Sequence, residues 1–182
     1  SIEVALPIQK SELLEHLRDR IETKSVLFYD PVKKKVLAHR ERRWSNLVLE
    51  VLPSAEVSAK EKQACFWKMV KDLPSLAELP LSDSATAWLN RYHLLHGECP
   101  ELPSLDESEL MANLEHWLAP YMAGIHTWSA FEKCDWISAV QGLTEPAVLT
   151  QLNQCYPSHI TLANGMKKAL DYHGSAGPIL AL

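Results

Sequence analysis

Apolar residues along this chain of 182 residues recur first with a period of two, then of three to four, then of two again. Ile2-Glu3-Val4-Ala5-Leu6 alternates and predicts a short strand ending at Pro7. Leu13, Leu14, Leu17 and Ile21 fall on one side of a predicted helix over 11–21, with charges between them. Ser25–Tyr29 is a strand-forming run, and Asp30-Pro31 opens a turn. Lys35–Trp44 predicts a long basic strand, and Asn46–Leu52 a further one closed by Pro53. The opening section thus reads as strand, helix and antiparallel meander.

At Ser58 the period lengthens. Ser58-Ala59-Lys60-Glu61 has the form of a capping box, in which serine and glutamate satisfy each other's backbone amides. Phe66, Val70 and Leu73 form the stripe that follows, stopped by Pro74. A second helix is predicted after Ser82, with Ala85, Trp88, Leu89, Tyr92 and Leu95 on one face as far as Gly97. Pro100 and Pro103 lead to Asp106, the expected cap of a third helix with Glu109 in the box position. Leu110, Leu114, Trp117 and Leu118 are its expected buried side. Short helical turns are expected over Ser129–Lys133 and Asp135–Gln141. Thr144 is the expected cap of a last helix, with Pro146 in its first turn and Val148, Leu149 and Leu152 as its stripe.

Pro157 ends that helix. His159–Leu162 then alternates, Asn164-Gly165 turns, and Ala169–Tyr172 returns, a hairpin pattern. Gly177–Leu182 opens another apolar strand with no turn or polar tail after it, so it is expected to be cut short at that point. The expected fold class is α+β. Residues 1–57 form an antiparallel β section with one helix, 58–156 a helical extension, and 157–182 a closing hairpin with strands packed on the helices.

Composition narrows the function classes. Apolar content of 47% with 23% charged residues belongs to a globular chain, not a disordered one. No apolar run approaches the ~18 residues that suggest a membrane span. The start of the sequence lacks the basic-then-apolar layout of a signal peptide. Cys65, Cys99, Cys134 and Cys155 are scattered, which suits reduced thiols, and a cytoplasmic location without membrane partners is expected.

Charge divides the chain more sharply than its net value of −5 suggests. Residues 31–45 carry Lys33, Lys34, Lys35, Arg40, Arg42 and Arg43 against Glu41 alone. Residues 78–145 carry eleven acidic side chains against Arg91 and Lys133. A basic ribbon beside an acidic body suggests two surfaces with different partners.

The chemistry-bearing motifs are sparse. No G-x-x-x-x-G-K-[ST] loop, D-E-x-H run or G-x-S-x-G elbow occurs, so no residue here is assigned a catalytic role. His93, His96 and Cys99 have a spacing compatible with zinc, but no fourth ligand is evident and no metal is assigned. Ser158 and His159 are adjacent without an acidic partner in sequence. On the basic strand, alternation sends Arg40 and Arg42 to one face and Lys35, His39 and Arg43 to the other. Two readings stand: a solvated edge protected by charge, or a surface for a nucleic-acid backbone with Trp44 and Tyr29 available for stacking.

Four segments carry a resemblance beyond these local readings: VLFYDPVKKKVLAHRERRWSNLVLE, WLNRYHLL, LEHWLAPYMAG and YPSHITLANGMKKALDY with GPILAL. In this order and spacing they resemble the C-terminal region of HrpB-type DExH-box ATP-dependent helicases. Ser45-Asn46 departs from that family's Gly-small pair, and Asn164-Gly165 from its commoner Ser-Gly turn. The resemblance implies that the opening section is the later part of an OB-like barrel, a fold that binds single strands with its sheet and loops. It also implies RecA-like motor domains upstream in the same protein, using ATP and Mg, with no cofactor held by the residues here and no activity of this region alone.

Lys33, Lys34, Lys35, Arg40, Arg42, Arg43 and Trp44 are then the expected contacts to a single strand, RNA before DNA. Two other functions compete. One is a protein-interaction scaffold that uses the acidic helices; the other is a small hydrolase or metalloprotein built on His93, His96 and Cys99.

Overall fold

The computed structural model describes residues 9–53, 56–172 and 178–180, so the strand expected over 2–6 and the side chain of Leu13 lie outside the described residues. The helix expected over 11–21 is shorter. Helix α1 (Lys10–His16) gives way to a 3-10 turn at Arg18–Arg20, and strand β1 (Glu22–Asp30) begins at once. The strand extends this far back because its partner is long. Glu22 faces Arg43 and Lys24 faces Glu41 across the ladder, opposite charges that favour pairing.

β1, β2 (Lys35–Trp44) and β3 (Leu47–Leu52) form an antiparallel meander in chain order. The β2–β3 register shifts between Arg42, opposite Glu50, and Arg43, opposite Val48, so Leu49 is an extra residue in a bulge. Ser45 and Asn46 link the two strands, and Ser45 holds φ +52. A two-residue hairpin loop with positive φ at its first position favours glycine there. The serine at this point, one of the departures from the family pattern, therefore carries backbone strain.

The helical part begins at α2 (Ala59–Lys71), where Ser58 and Glu61 form the complete capping box. After a 3-10 turn at Leu76–Glu78 comes α3 (Asp83–Glu98), capped by Ser82, the longest helix described. The single helix expected after Asp106 is two: α4 (Glu107–Ala112) and α5 (Leu114–Leu118). Asp106 does cap, accepting from the Glu109 amide at 2.9 Å. The Glu109 carboxylate instead takes the Asn113 side chain at 2.6 Å, so no reciprocal box forms and Asn113 sits at the break. The buried side is as expected: Leu110, Leu114, Trp117 and Leu118 are all in the core.

α6 (Trp128–Phe131) and α7 (Trp136–Gln141) are the two short turns, and α8 (Pro146–Cys155) follows. Glu145, not Thr144, is the residue before α8, because Pro146 occupies the first helical position; Thr144 donates its hydroxyl back to the Gln141 carbonyl.

β4 (His159–Thr161), β5 (Lys167–Asp171) and β6 (Ile179–Leu180) make a second antiparallel sheet in chain order. Gly177, Ala181 and Leu182 of the expected final strand lie outside the described residues. The turn uses three residues, Ala163, Asn164 and Gly165, and the return strand starts at Lys167 rather than Ala169. Gly165 takes φ +81 and Asn164 Oδ1 accepts from the Met166 amide.

A path of aromatic contacts runs through the core. Tyr29 of β1 meets Phe66 of α2 edge-on at 5.6 Å, Phe66 meets Phe131 at 5.6 Å, and Phe131 meets Trp136 at 4.9 Å. Trp136 in turn lies 6.4 Å from Trp117. The first sheet therefore packs on the helices through one face, that of Leu27, Tyr29 and Val36. Phe28, Val48 and Val51 sit on the opposite face or its margin and are exposed.

Candidate nucleic-acid interface

The β1–β2 turn is built to hold its shape. Asp30 Oδ1 accepts from the amides of Val32 and Lys33, both at 2.9 Å, and Lys34 adopts φ +51. Asp and Asn side chains favour such turns because they supply the acceptor the backbone would otherwise lack. The turn is then tied to the helical part through main-chain bonds. The Trp128 amide donates to the Lys34 carbonyl at 2.9 Å, the Val36 amide donates to the His126 carbonyl at 3.3 Å, and Lys35 bridges to Thr127. Lys33, Lys34 and Lys35 all remain exposed at its apex, beside Val32.

The arginines of β2 are placed differently. Arg42 Nη1 lies 3.1 Å from Glu50 Oε2 across the ladder. Arg43 Nε lies 3.0 Å from Glu41 Oε2, too bent for a hydrogen bond, while Glu41 Oε1 sits 2.8 Å from His39 Nε2. Half-exposed pairs of this kind contribute little stability, yet they neutralise charge that a phosphate would otherwise meet. Among the described residues Arg40 and the three lysines make no ion pair. Trp44, at the strand end, is partly open. Tyr29 is not available for stacking: its ring is packed against Phe66, and burial raises its phenol pKa. The structure thus brings Lys33, Lys34 and Lys35 together at one apex and leaves Arg40, Arg42, Arg43 and Trp44 along the strand behind it.

The competing metal group is dispersed. His93 Nε2 is 3.0 Å from the Leu105 carbonyl, His96 stacks on Tyr92 at 6.5 Å, and Cys99 Sγ accepts from Gln151 at 3.6 Å. Among the described residues no three His, Cys, Asp or Glu side chains gather as a metal site would require. His159 Nδ1 does meet Ser158 Oγ at 3.1 Å, without the third, orienting group a nucleophilic triad needs.

One residue of the WLNRYHLL segment has a placement that the sequence alone does not reveal. Arg91 is only 6% exposed, the one charged side chain in the described core. Its Nε donates to the Tyr156 carbonyl and its Nη2 to Asn153 Oδ1, each at 2.6 Å, tying α3 to the end of α8. Burial lowers its pKa. The available signal was its position between Trp88, Tyr92 and Leu95, a lone charge inside an apolar stripe.

The described residues thus form an α+β arrangement, a strand meander ahead of a helical body. Residues 117–182 match the family described as ATP-dependent helicase C-terminal, the HrpB C-terminal family. The chain is 26% identical over 181 residues to the ATP-dependent RNA helicase HrpB of Escherichia coli, covering 98% of the chain and 22% of that protein.

Two crystal structures agree with it at TM-score 0.62 and 26% identity: E. coli DExH-box NTPase HrpB, over 97% of this chain and 22% of that one, and E. coli DEAH/RHA helicase HrpB, over 90% and 21%. The chain is homologous to the C-terminal region of the HrpB DExH-box helicases. It spans about a fifth of the length of the relatives it matches.

Proposed function

We propose that this chain is the C-terminal accessory region of an HrpB-type ATP-dependent RNA helicase and that it contacts single-stranded RNA through the β1–β2 turn. The observation that carries the reading is the lysine apex: three ammonium groups with no ion-pair partner among the described residues, on a turn fixed to the helical part by main-chain hydrogen bonds. Phosphate contact needs positive charge held in register, and a braced turn supplies it at little cost in ordering. Arg40 and Trp44 extend the path along β2, with Arg42 and Arg43 weaker contributors because carboxylates already face them. ATP and Mg belong to RecA-like domains upstream in the same protein, in the cytoplasm. The meander is the later part of an OB-like barrel, residues 58–156 the helical extension, and 157–182 the closing hairpin.

Anisotropy of a labelled single-stranded RNA, titrated at several salt concentrations, tests this. Replacing Lys33, Lys34 and Lys35 together by Ala should weaken binding and reduce the slope of log K against log salt by about 2, from ~0.7 per phosphate contact. Arg42→Ala with Arg43→Ala should change it less. Unchanged binding in the triple variant would sink the reading. It would favour a second one, a docking scaffold, because all eleven acidic side chains of residues 78–145 are exposed.

A further inference from the structure

A cavity of about 400 Å³ lies between α3, α7, α8 and the C-terminal hairpin, walled by Trp88, Arg91, Gln141, Asn153, Ser158 and His159 together with small and aliphatic side chains. Its chemistry is one-sided. No Asp or Glu lines it. Arg91 is buried, and both of its acceptors are neutral: a backbone carbonyl and an amide oxygen. Among the described residues its guanidinium makes no ion pair. A buried cation is ordinarily matched by a carboxylate. Here two of the five guanidinium donors are used, and Arg91 itself forms part of the wall.

The neighbouring groups add to the same character. Asn153 gives its oxygen to Arg91, which leaves its amide NH2 as a donor. Ser158 Oγ engages His159 Nδ1, leaving Nε2 as the other ring nitrogen. The apolar part of the lining is the indole of Trp88, stacked on Tyr92 at 5.4 Å, with Ile137 and Leu170. A concave site of this size, with apolar walls and a few converging donors around one cation, is the usual form of a small-ligand pocket. A volume of about 400 Å³ suits a compact anion rather than a long polyanion.

We infer that this cavity binds a phosphate monoester of nucleoside monophosphate size, its phosphate at Arg91, Asn153 and Ser158–His159 and its ring system against the Trp88 wall. The phosphate arrives either as a free mononucleotide or as the phosphorylated terminus of a short strand. The site is separate from the lysine apex and does not rest on it.

NMR titration of the full 182-residue chain with AMP tests the inference. Saturable shifts are expected at the amides of Ser158, His159, Ala169 and Leu170, with adenosine giving none and inorganic phosphate weaker ones. Gln141→Ala with His159→Ala, both at the mouth and away from the Arg91 bonds, should lower AMP affinity about tenfold, the loss of one or two hydrogen bonds, with the melting temperature unchanged. Arg91→Gln should abolish binding. The surface double variant keeps the test decisive if Arg91→Gln fails to fold. Replacing Lys33, Lys34 and Lys35 by Ala should leave AMP binding as it is.

Displacement of AMP by a 5′-phosphorylated dinucleotide but not its 5′-hydroxyl form would assign the site to strand ends; no displacement by either would assign it to free nucleotides. Absence of saturable shifts at millimolar AMP, equal shifts with adenosine, or affinity unchanged in the double variant would overturn the inference.

Discussion

Trp117 and Trp136 are both in the core and near each other, yet they differ by one hydrogen bond. Trp117 Nε1 donates to the Leu110 carbonyl at 2.9 Å, holding the α4–α5 break closed. Trp136 Nε1 is buried with no partner among the described residues. Replacing either by Phe removes part of the ring, but only Trp117→Phe also removes a hydrogen bond. Urea unfolding should show Trp117→Phe less stable than Trp136→Phe by about 1 kcal/mol.

Asp106 offers a prediction in pH. Bonds from the Glu109 amide and from the hydroxyls of Ser108 and Ser104 hold its pKa down to about 2, from 3.8. The unfolded chain therefore binds more protons than the folded one between these values. Its contribution is present above pH 4 and disappears as pH falls toward 2. In Asp106→Ala the urea midpoint should fall less steeply over that window than in the parent chain.

Among the elements, what a local pattern dictates was legible and what distant pairing dictates was not. The Ser58–Glu61 box and the long helix after Ser82 follow from residues within a few positions of one another. β1 began earlier than its own residues suggest because Arg43 and Glu41 lie across from Glu22 and Lys24. The helix after Asp106 breaks at Asn113, whose side chain bonds back to the Glu109 carbonyl and carboxylate, a competition with the helix that the apolar stripe does not show. Of the proposed interface, charge and alternation were readable at the sequence level. The Glu41 and Glu50 pairing that mutes two arginines, and the loss of Tyr29 to the core, were not, since both depend on register and on α2. The Ser45 hairpin gives a test at this scale. Ser45→Gly relieves a positive φ that serine holds only under strain, so it should raise stability by roughly 1 kcal/mol by thermal unfolding. An unchanged or lower melting temperature would mean the turn is not strained.

For the whole molecule, the question is whether sheet and helices open together. The Lys34–Trp128 bond joins the two backbones, and the Tyr29–Phe66–Phe131–Trp136 contacts join the two interiors. Hydrogen exchange should therefore protect the Trp128 amide as well as amides within α3, such as that of Tyr92; much faster exchange at Trp128 would show that the sheet opens by itself. The same bracing has a mechanical meaning. A flexible loop that carries lysines behaves as a tether and goes slack when its load shifts. A turn bonded to its neighbour through its own backbone behaves as a rigid arm, so a pull at Lys33–Lys35 is delivered at Thr127 and Trp128 and from there along the aromatic column into the helices.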